Sequence, residues 1–188
     1  KETVISGVNE YIEKLKTDEE LTLIRLTAFD SDNIEVIYDF VNINDARVLK
    51  NSDYIPGSLT PLYDSIADGI KATADYMETQ SENAQVIFTI MTDGLENNSK
   101  EYKRDHIFKM ITEKEAEGWV FVYLGSNQDS WEVGESIGIG PGFTANYDVS
   151  NTGEAFRTLG ASTRRARRSL SRRAQIESAF TSEERQKL

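Results

Sequence analysis

Two short runs of the chain constrain the fold more than anything else in it. AQVIFTIM (84–91) and WVFVYLG (119–125) are almost continuously apolar, rich in β-branched and aromatic residues, and lack polar alternation. Such runs read as strands covered on both faces. Between them KRDHIFKMITEKEAEG (103–118) places Ile107, Met110 and Ile111 on one helical face. A buried strand, a helix and a second buried strand form a crossover unit, which makes the two strands parallel neighbours. Each run stops at turn residues, the first at Thr92-Asp93-Gly94 and the second at Gly125-Ser126.

The remaining elements fit around this unit. VISGVNEYIEKL (4–15) has Val4, Val8, Tyr11, Ile12 and Leu15 at helical spacing. LTLIRLTAFD (21–30) and NIEVIYDFV (33–41) are β-rich and separated only by Ser31 and Asp32, the pattern of a hairpin. INDARVL reads as a helical turn. GSLTPLYDSIADGIKATADYME opens a helix with Thr60 as N-cap and Pro61 at the first helical position, with Leu62, Ile66 and Ile70 inward. DSWEVGESIGI is a short helix, FTANY (143–147) a last strand, and residues 153–175 a terminal helix. Asp148 or Ser150 in DVSNT serves as its cap. The alternation predicts an α/β fold, a doubly wound and mostly parallel sheet with one antiparallel edge hairpin.

Composition narrows the function. The chain has no Cys and one His, His106, which excludes thiol nucleophiles, disulfide scaffolds and zinc ribbons and leaves only oxygen ligands for a metal. His106 lies beside Asp105 on an amphipathic helix and reads as a surface residue. No apolar run approaches the length of a membrane span. Residues 1–150 hold 12 Lys and Arg against 28 Asp and Glu, a net charge of −16, whereas residues 151–188 hold 9 against 4, a net of +5. The acidic body disfavours nucleic acid and anionic lipid and attracts cations. TRRARRSLSRR, with Arg164, Arg165, Arg167, Arg168, Arg172 and Arg173, is the one basic patch; it reads as a solvated helix or tail, and a nucleic-acid contact could run only through it. The closely spaced glycines of GESIGIGPG follow a helix, not a strand, and do not form a phosphate cradle. Asn97-Asn98-Ser99 is a glycosylation-type triplet that reads as a polar loop.

In a doubly wound sheet, ligands gather at the carboxyl ends of the strands. Asp93, Asp30 and Ser126 all stand at such ends, and Thr60 joins them if its helix packs back along the sheet. Asp-Gly is also a common turn dipeptide, and Asp30 with Ser31 and Asp32 can be simple hairpin residues. A hydroxyl and a carboxylate on one edge are ligands for a hard cation.

IMTDGLENNS, GSLTPLYDSI and LGSNQD together resemble the von Willebrand factor A domain, most of all its short bacterial and phage forms. In that family a strand ends in T-D-G, a G-x-T-x-L-x-D segment opens a helix, and G-x-N-x-D follows the next strand. The resemblance implies an A-type domain over residues 1–163, with 164–188 a basic tail or helix extension. It implies a metal-ion-dependent adhesion site holding Mg²⁺, or Mn²⁺ or Ca²⁺, on Thr60 and Asp93. Asp30, Ser58, Glu96 and Ser126 then line the partner-binding rim. The partner is a protein offering an acidic residue, no chemistry is carried out, and the setting is cytoplasmic.

The chain departs from the family in one place. The Asp-x-Ser-x-Ser motif at the end of the first strand is missing, and DVSNT, which has similar spacing, lies too late in the chain to replace it. By the resemblance, the missing strand belongs between the hairpin and AQVIFTIM, the chain is a piece of a longer polypeptide, and its metal binding is weak. Two other readings stay open: a metal-dependent phosphoryl-transfer enzyme using Asp93, and a metal-independent structural or assembly protein.

Overall fold

The computed structural model describes residues 1–16, 21–31, 33–80, 84–126, 129–171 and 176–188. Asp32 of the hairpin turn, Asn127 and Gln128 of LGSNQD, and Arg172 and Arg173 lie outside the described residues. Helix α1 (Glu2–Leu15) is followed by β1 (Leu23–Asp30), β2 (Asn33–Asn42), α2 (Leu62–Glu78), β3 (Ile87–Thr92), α3 (Arg104–Ala116), β4 (Val120–Gly125), α4 (Ser130–Ser136), β5 (Thr144–Asn146), α5 (Thr152–Ser171) and α6 (Ser182–Lys187). The protein is mixed α/β, with 51% helix and 19% strand among the described residues.

β3, β4 and β5 form a parallel sheet in that order, β3 meeting β4 from Ile87↔Val120 to Thr92↔Gly125. β1 and β2 form a separate antiparallel pair, in register from Leu23↔Asn42 to Asp30↔Asn33, with irregularities around Leu26. Ser31 turns the hairpin with a positive φ of 38°. The hairpin and the parallel strands thus stand where the apolar runs predict them, but as two sheets.

The burial of the central strands is unequal. Phe121, Val122, Tyr123 and Leu124 of β4 are buried, as a strand covered on both faces requires. In β3 only Ile90 and Thr92 are buried, while Ile87, Phe88, Thr89 and Met91 are half-buried. β1 contains no buried residue at all.

Helices cover both faces. On one face, Leu62, Ile66 and Ile70 of α2 and Ile107 and Ile111 of α3 join Ile90, Phe121 and Tyr123 in the largest apolar cluster. On the other, Ala155 and Leu159 of α5 pack on Val122 and Leu124. A third cluster joins Ile5, Ile12 and Leu15 of α1 to Tyr38 and Ile43. α1 lies along α5, where Arg157 Nε donates to Glu10 Oε1 at 3.1 Å.

The segment from residue 164 takes the form of a helix extension that then folds back. α5 runs through residues 163 and 164 without a break, and Ala166, Ala179 and Phe180 are buried. Arg165 pairs with both carboxylate oxygens of Glu184 at 2.6 Å. Arg185 Nη2 donates to the carbonyls of Pro141 and Gly142, at 2.8 and 3.0 Å. Arg165 of the basic patch, for which the charge pattern suggests solvation, therefore pairs within the folded chain, and Arg185 holds α6 to the loop before β5.

Candidate functional site

Three segments meet at the carboxyl ends of β1 and β3: the end of the hairpin, residues 57–60, and the loop after β3. Ser31 N–H donates to the Leu59 carbonyl at 2.8 Å, and the Asn98 amide donates to the Ser31 carbonyl. Thr60 N–H donates to Asn97 Oδ1 at 2.7 Å, and Asn97 N–H donates back to the Thr60 carbonyl at 3.1 Å. The polar triplet Asn97-Asn98-Ser99 is thus the clasp of the rim.

Two glycines allow the close approach. A Cβ on Gly57 would lie 2.6 Å from Asp30 Cγ, and one on Gly94 would lie 2.6 Å from Thr60 Oγ1. These gaps bring Asp30 and Thr60 to the edge where exposed Asp93 stands. The Thr92 hydroxyl sharpens the Asp93 turn by donating to the Gly94 carbonyl at 3.0 Å. Ser58 is exposed between Gly57 and Leu59.

The helix behind the rim begins differently from the sequence expectation. α2 starts at Leu62 with Pro61 as N-cap, so Thr60 is not the cap. Proline has no side-chain acceptor, and the helix is capped from outside. Glu96 Oε2 accepts from Tyr63 N–H at 3.0 Å, and Ser99 Oγ accepts from Tyr63 and Asp64 N–H at 3.0 and 3.1 Å. Glu96 Oε1 also accepts from the N–H groups of Asn98 and Ser99, at 2.9 and 2.7 Å. The Glu96 carboxylate, expected on the partner-binding rim, is turned to the positive end of α2. Asp64 accepts from Lys100 and Tyr102 N–H at 2.7 and 2.8 Å, locking the same loop from the helix side. The Thr60 hydroxyl makes no hydrogen bond to any of the described residues.

Ser126 follows β4 beside this edge and is buried. Its N–H donates to the Thr92 carbonyl at 3.0 Å, and it is 2% exposed. It borders a cavity of about 350 Å³ with Trp131, Asn146, Tyr147, Arg185 and Leu188. His106 is exposed on α3, its Nδ1 accepting from Lys103 N–H at 3.3 Å.

Two residues that the sequence does not mark as site residues stand near Asp93. Burial first, and then the negative charges of Asp93 and Asp30, push the Tyr54 phenol above its ordinary range. Burial, Asp93 and Tyr54 do the same to Tyr147. Both phenols remain neutral O–H groups near Asp93 at any physiological pH. Tyr54 comes from an irregular loop and Tyr147 follows a three-residue strand, so no periodic signal marks either.

Thr60, Asp93 and Asp30 offer only oxygen donors, which suits a hard cation. Among the described residues no group of three acidic or histidine side chains converges, so the set is open and a bound ion would keep most of its water. No helix of the described residues is long and apolar enough to cross a membrane. A scan against protein-family models gives no match to the chain, and a search of curated proteins gives none either.

Proposed function

We propose that this chain is a non-enzymatic protein-binding module of the von Willebrand factor A type, which engages an acidic side chain of its partner at the rim between β1 and β3. The observation that carries the reading is the convergence of Asp30, Thr60 and Asp93 at one strand edge, with Gly57 and Gly94 giving the clearance. Two motifs of the resemblance, IMTDGLENNS and GSLTPLYDSI, supply loops that meet there.

Under this reading Thr60 and Asp93, with Asp30 beside them, hold Mg²⁺ or a similar ion, which supplies the positive charge that a partner carboxylate requires. The chain's own residues do the rest. Asn97 and Asn98 fix the loops, Glu96 and Ser99 hold α2 in place, and the neutral phenols of Tyr54 and Tyr147 can donate hydrogen bonds to an incoming oxygen.

The test has two parts. Calorimetry with Mn²⁺ should give binding on the order of millimolar, as befits a site with few protein ligands, and Asp93→Ala should lose it. An array of Asp- and Glu-bearing peptides should be bound in Mg²⁺ and released by EDTA. Peptide binding indifferent to EDTA, or Mn²⁺ binding unchanged by Asp93→Ala, would overturn the reading.

A further inference from the structure

The sequence holds two Asp-Gly pairs, Asp68-Gly69 and Asp93-Gly94, and the fold treats them oppositely. Both aspartates are exposed, so the difference lies in the backbone. Gly69 is inside α2, where its N–H is committed to the helix ladder. Its carbonyl accepts from Thr73 Oγ1 at 2.7 Å, and a Cβ on it would lie 2.8 Å from the Phe88 ring. The Asp68 carboxylate is also drawn aside by Arg25, at 3.3 Å. Asp93 and Gly94 sit between the end of β3 and the clasp at residues 96–99, outside any helix or strand. Among the described residues the Gly94 N–H makes one hydrogen bond, to Thr92 Oγ1 at 3.2 Å.

The packing of the rim requires glycine at position 94, because Thr60 Oγ1 stands 2.6 Å from where a Cβ would be. A side chain at this position is what would shield the amide nitrogen from the preceding carboxyl group. An aspartate Cγ and the nitrogen of the next residue are spaced to close a five-membered ring. The closure needs a backbone that can turn and a next residue without bulk, and glycine meets both needs. Helix α2 denies the first of these to Asp68-Gly69, whereas the rim denies neither to Asp93-Gly94.

We propose that Asp93 is a site of spontaneous covalent modification, isomerising to a β-linked aspartate through a cyclic imide. The Gly94 nitrogen attacks Asp93 Cγ; the N–Cγ bond forms, the Cγ–OH bond breaks, and the amide proton and the hydroxyl leave as water. Water then opens the imide at one of two carbons. Addition at Cγ restores aspartate. Addition at the Asp93 main-chain carbonyl carbon routes the chain through Cβ and Cγ and leaves that carbon as a free carboxylate on Cα. Water is the one co-reactant, and no electrons are transferred. The product lengthens the backbone by one atom at the end of β3 and carries its carboxylate on a shorter arm, so the geometry that Asp93 offers at the rim is lost. The chemistry stands apart from the metal reading; only its consequence, loss of the ion, rests on that reading.

The test holds the folded, unaltered chain at neutral pH and body temperature in EDTA, then maps its tryptic peptides by chromatography and mass spectrometry. The β-linked form is recognised by unchanged mass, shifted retention and resistance to a protease that cuts before aspartate. It should accumulate at residue 93 at least about tenfold faster than at residue 68, since opening a helix interior adds about 1.4 kcal/mol or more to the barrier. In urea the two sites share the same dipeptide without the fold and should react at comparable rates. Gly94→Ala in a Thr60→Ala background, where the next atom lies 3.7 Å from the new Cβ, should slow the reaction at residue 93 severalfold. Equal rates at the two sites in the folded chain overturn the proposal. So does an Asp93 that stays intact in the folded chain while the urea-unfolded chain reacts there, or an unchanged rate in the folded double variant. Calorimetry with Mn²⁺ on the isomerised product keeps the two readings apart: product that binds Mn²⁺ as the fresh chain does leaves the modification standing and overturns the metal site.

Discussion

Thr60 Oγ1 occupies the space that a side chain on Gly94 would need, a Cβ there lying 2.6 Å from the hydroxyl. The two residues come from different loops, and their contact sets how near Thr60 stands to Asp93. Gly94→Ala should lower the melting temperature by several degrees, since overpacking costs about 1 to 3 kcal/mol and each kcal/mol moves a domain of this size by roughly 2 to 4 °C. In a Thr60→Ala background, where the next atom lies 3.7 Å away, most of that loss should vanish. Additive losses in this double-mutant cycle would show that the hydroxyl is not what Gly94 avoids.

Glu96 makes a second prediction with a different readout. Its carboxylate serves the α2 N-terminus and the loop backbone together, so Glu96→Ala leaves several N–H groups without their acceptor. The expected loss is about 1 to 3 kcal/mol of stability, seen by urea denaturation. Glu96→Gln, which keeps an acceptor oxygen, should recover a good part of it.

What the sequence reveals here depends on periodicity. α2 and α3 repeat at helical spacing and β4 is continuously apolar; Leu62, Ile66, Ile70, Ile107 and Ile111 are buried as predicted, whereas Met110 is half-buried. The apolar run of β3 gives the strand but not its exposure, because covering one of its edges takes a neighbour that periodicity does not report. The start of α2 is displaced by one residue because its cap comes from Glu96 and Ser99, more than 30 positions away. Asp93 and Thr60 are visible as motif residues. Tyr54 and Tyr147 reach the site through tertiary packing alone.

The chain end should be needed for stability. Phe180 is 3% exposed and packs with Ala179 against the cluster on β4 and α5. Phe180→Ala should cost about 3 kcal/mol, or roughly 6 to 12 °C in melting temperature. Arg165→Ala should cost less in dilute buffer, and its effect should shrink with salt as the pair with Glu184 is screened. A melting temperature unmoved by Phe180→Ala would mean that this end of the chain is not packed.

Acid should weaken the fold through the carboxylates that folding holds low, Asp53 and Glu184 among them. The Arg47 guanidinium and the Lys50 N–H hold the Asp53 carboxyl down at about 2. Burial works to raise Glu184, but Arg165 and the Thr181 N–H outweigh it and hold it below its ordinary value. A carboxyl depressed on folding stabilises the native state above its unfolded value near 4, and that contribution is lost as pH falls through the folded value. The loss should therefore fall between about pH 4 and pH 2. Asp53→Asn should flatten the stability profile in that window while leaving its shape near neutrality unchanged.

Alkaline titration examines the electrostatics of the rim itself. Tyr54 and Tyr147 are both raised, by burial first and by the charge of Asp93 next. A phenol raised on folding stabilises the native state below its unfolded value near 10, and this contribution is lost as pH rises through the folded value. Asp93→Asn removes a negative neighbour without changing the burial, so both phenols should titrate earlier, though still above the ordinary range. Site-resolved ¹³Cζ NMR of the tyrosines follows each phenol separately. Tyr11, whose phenol is raised by burial and which lacks Asp93 among its charged neighbours, serves as the internal control and should not move. If Tyr54 and Tyr147 stay fixed while the variant remains folded, Asp93 does not face them, and the arrangement of the rim proposed for partner binding fails with it.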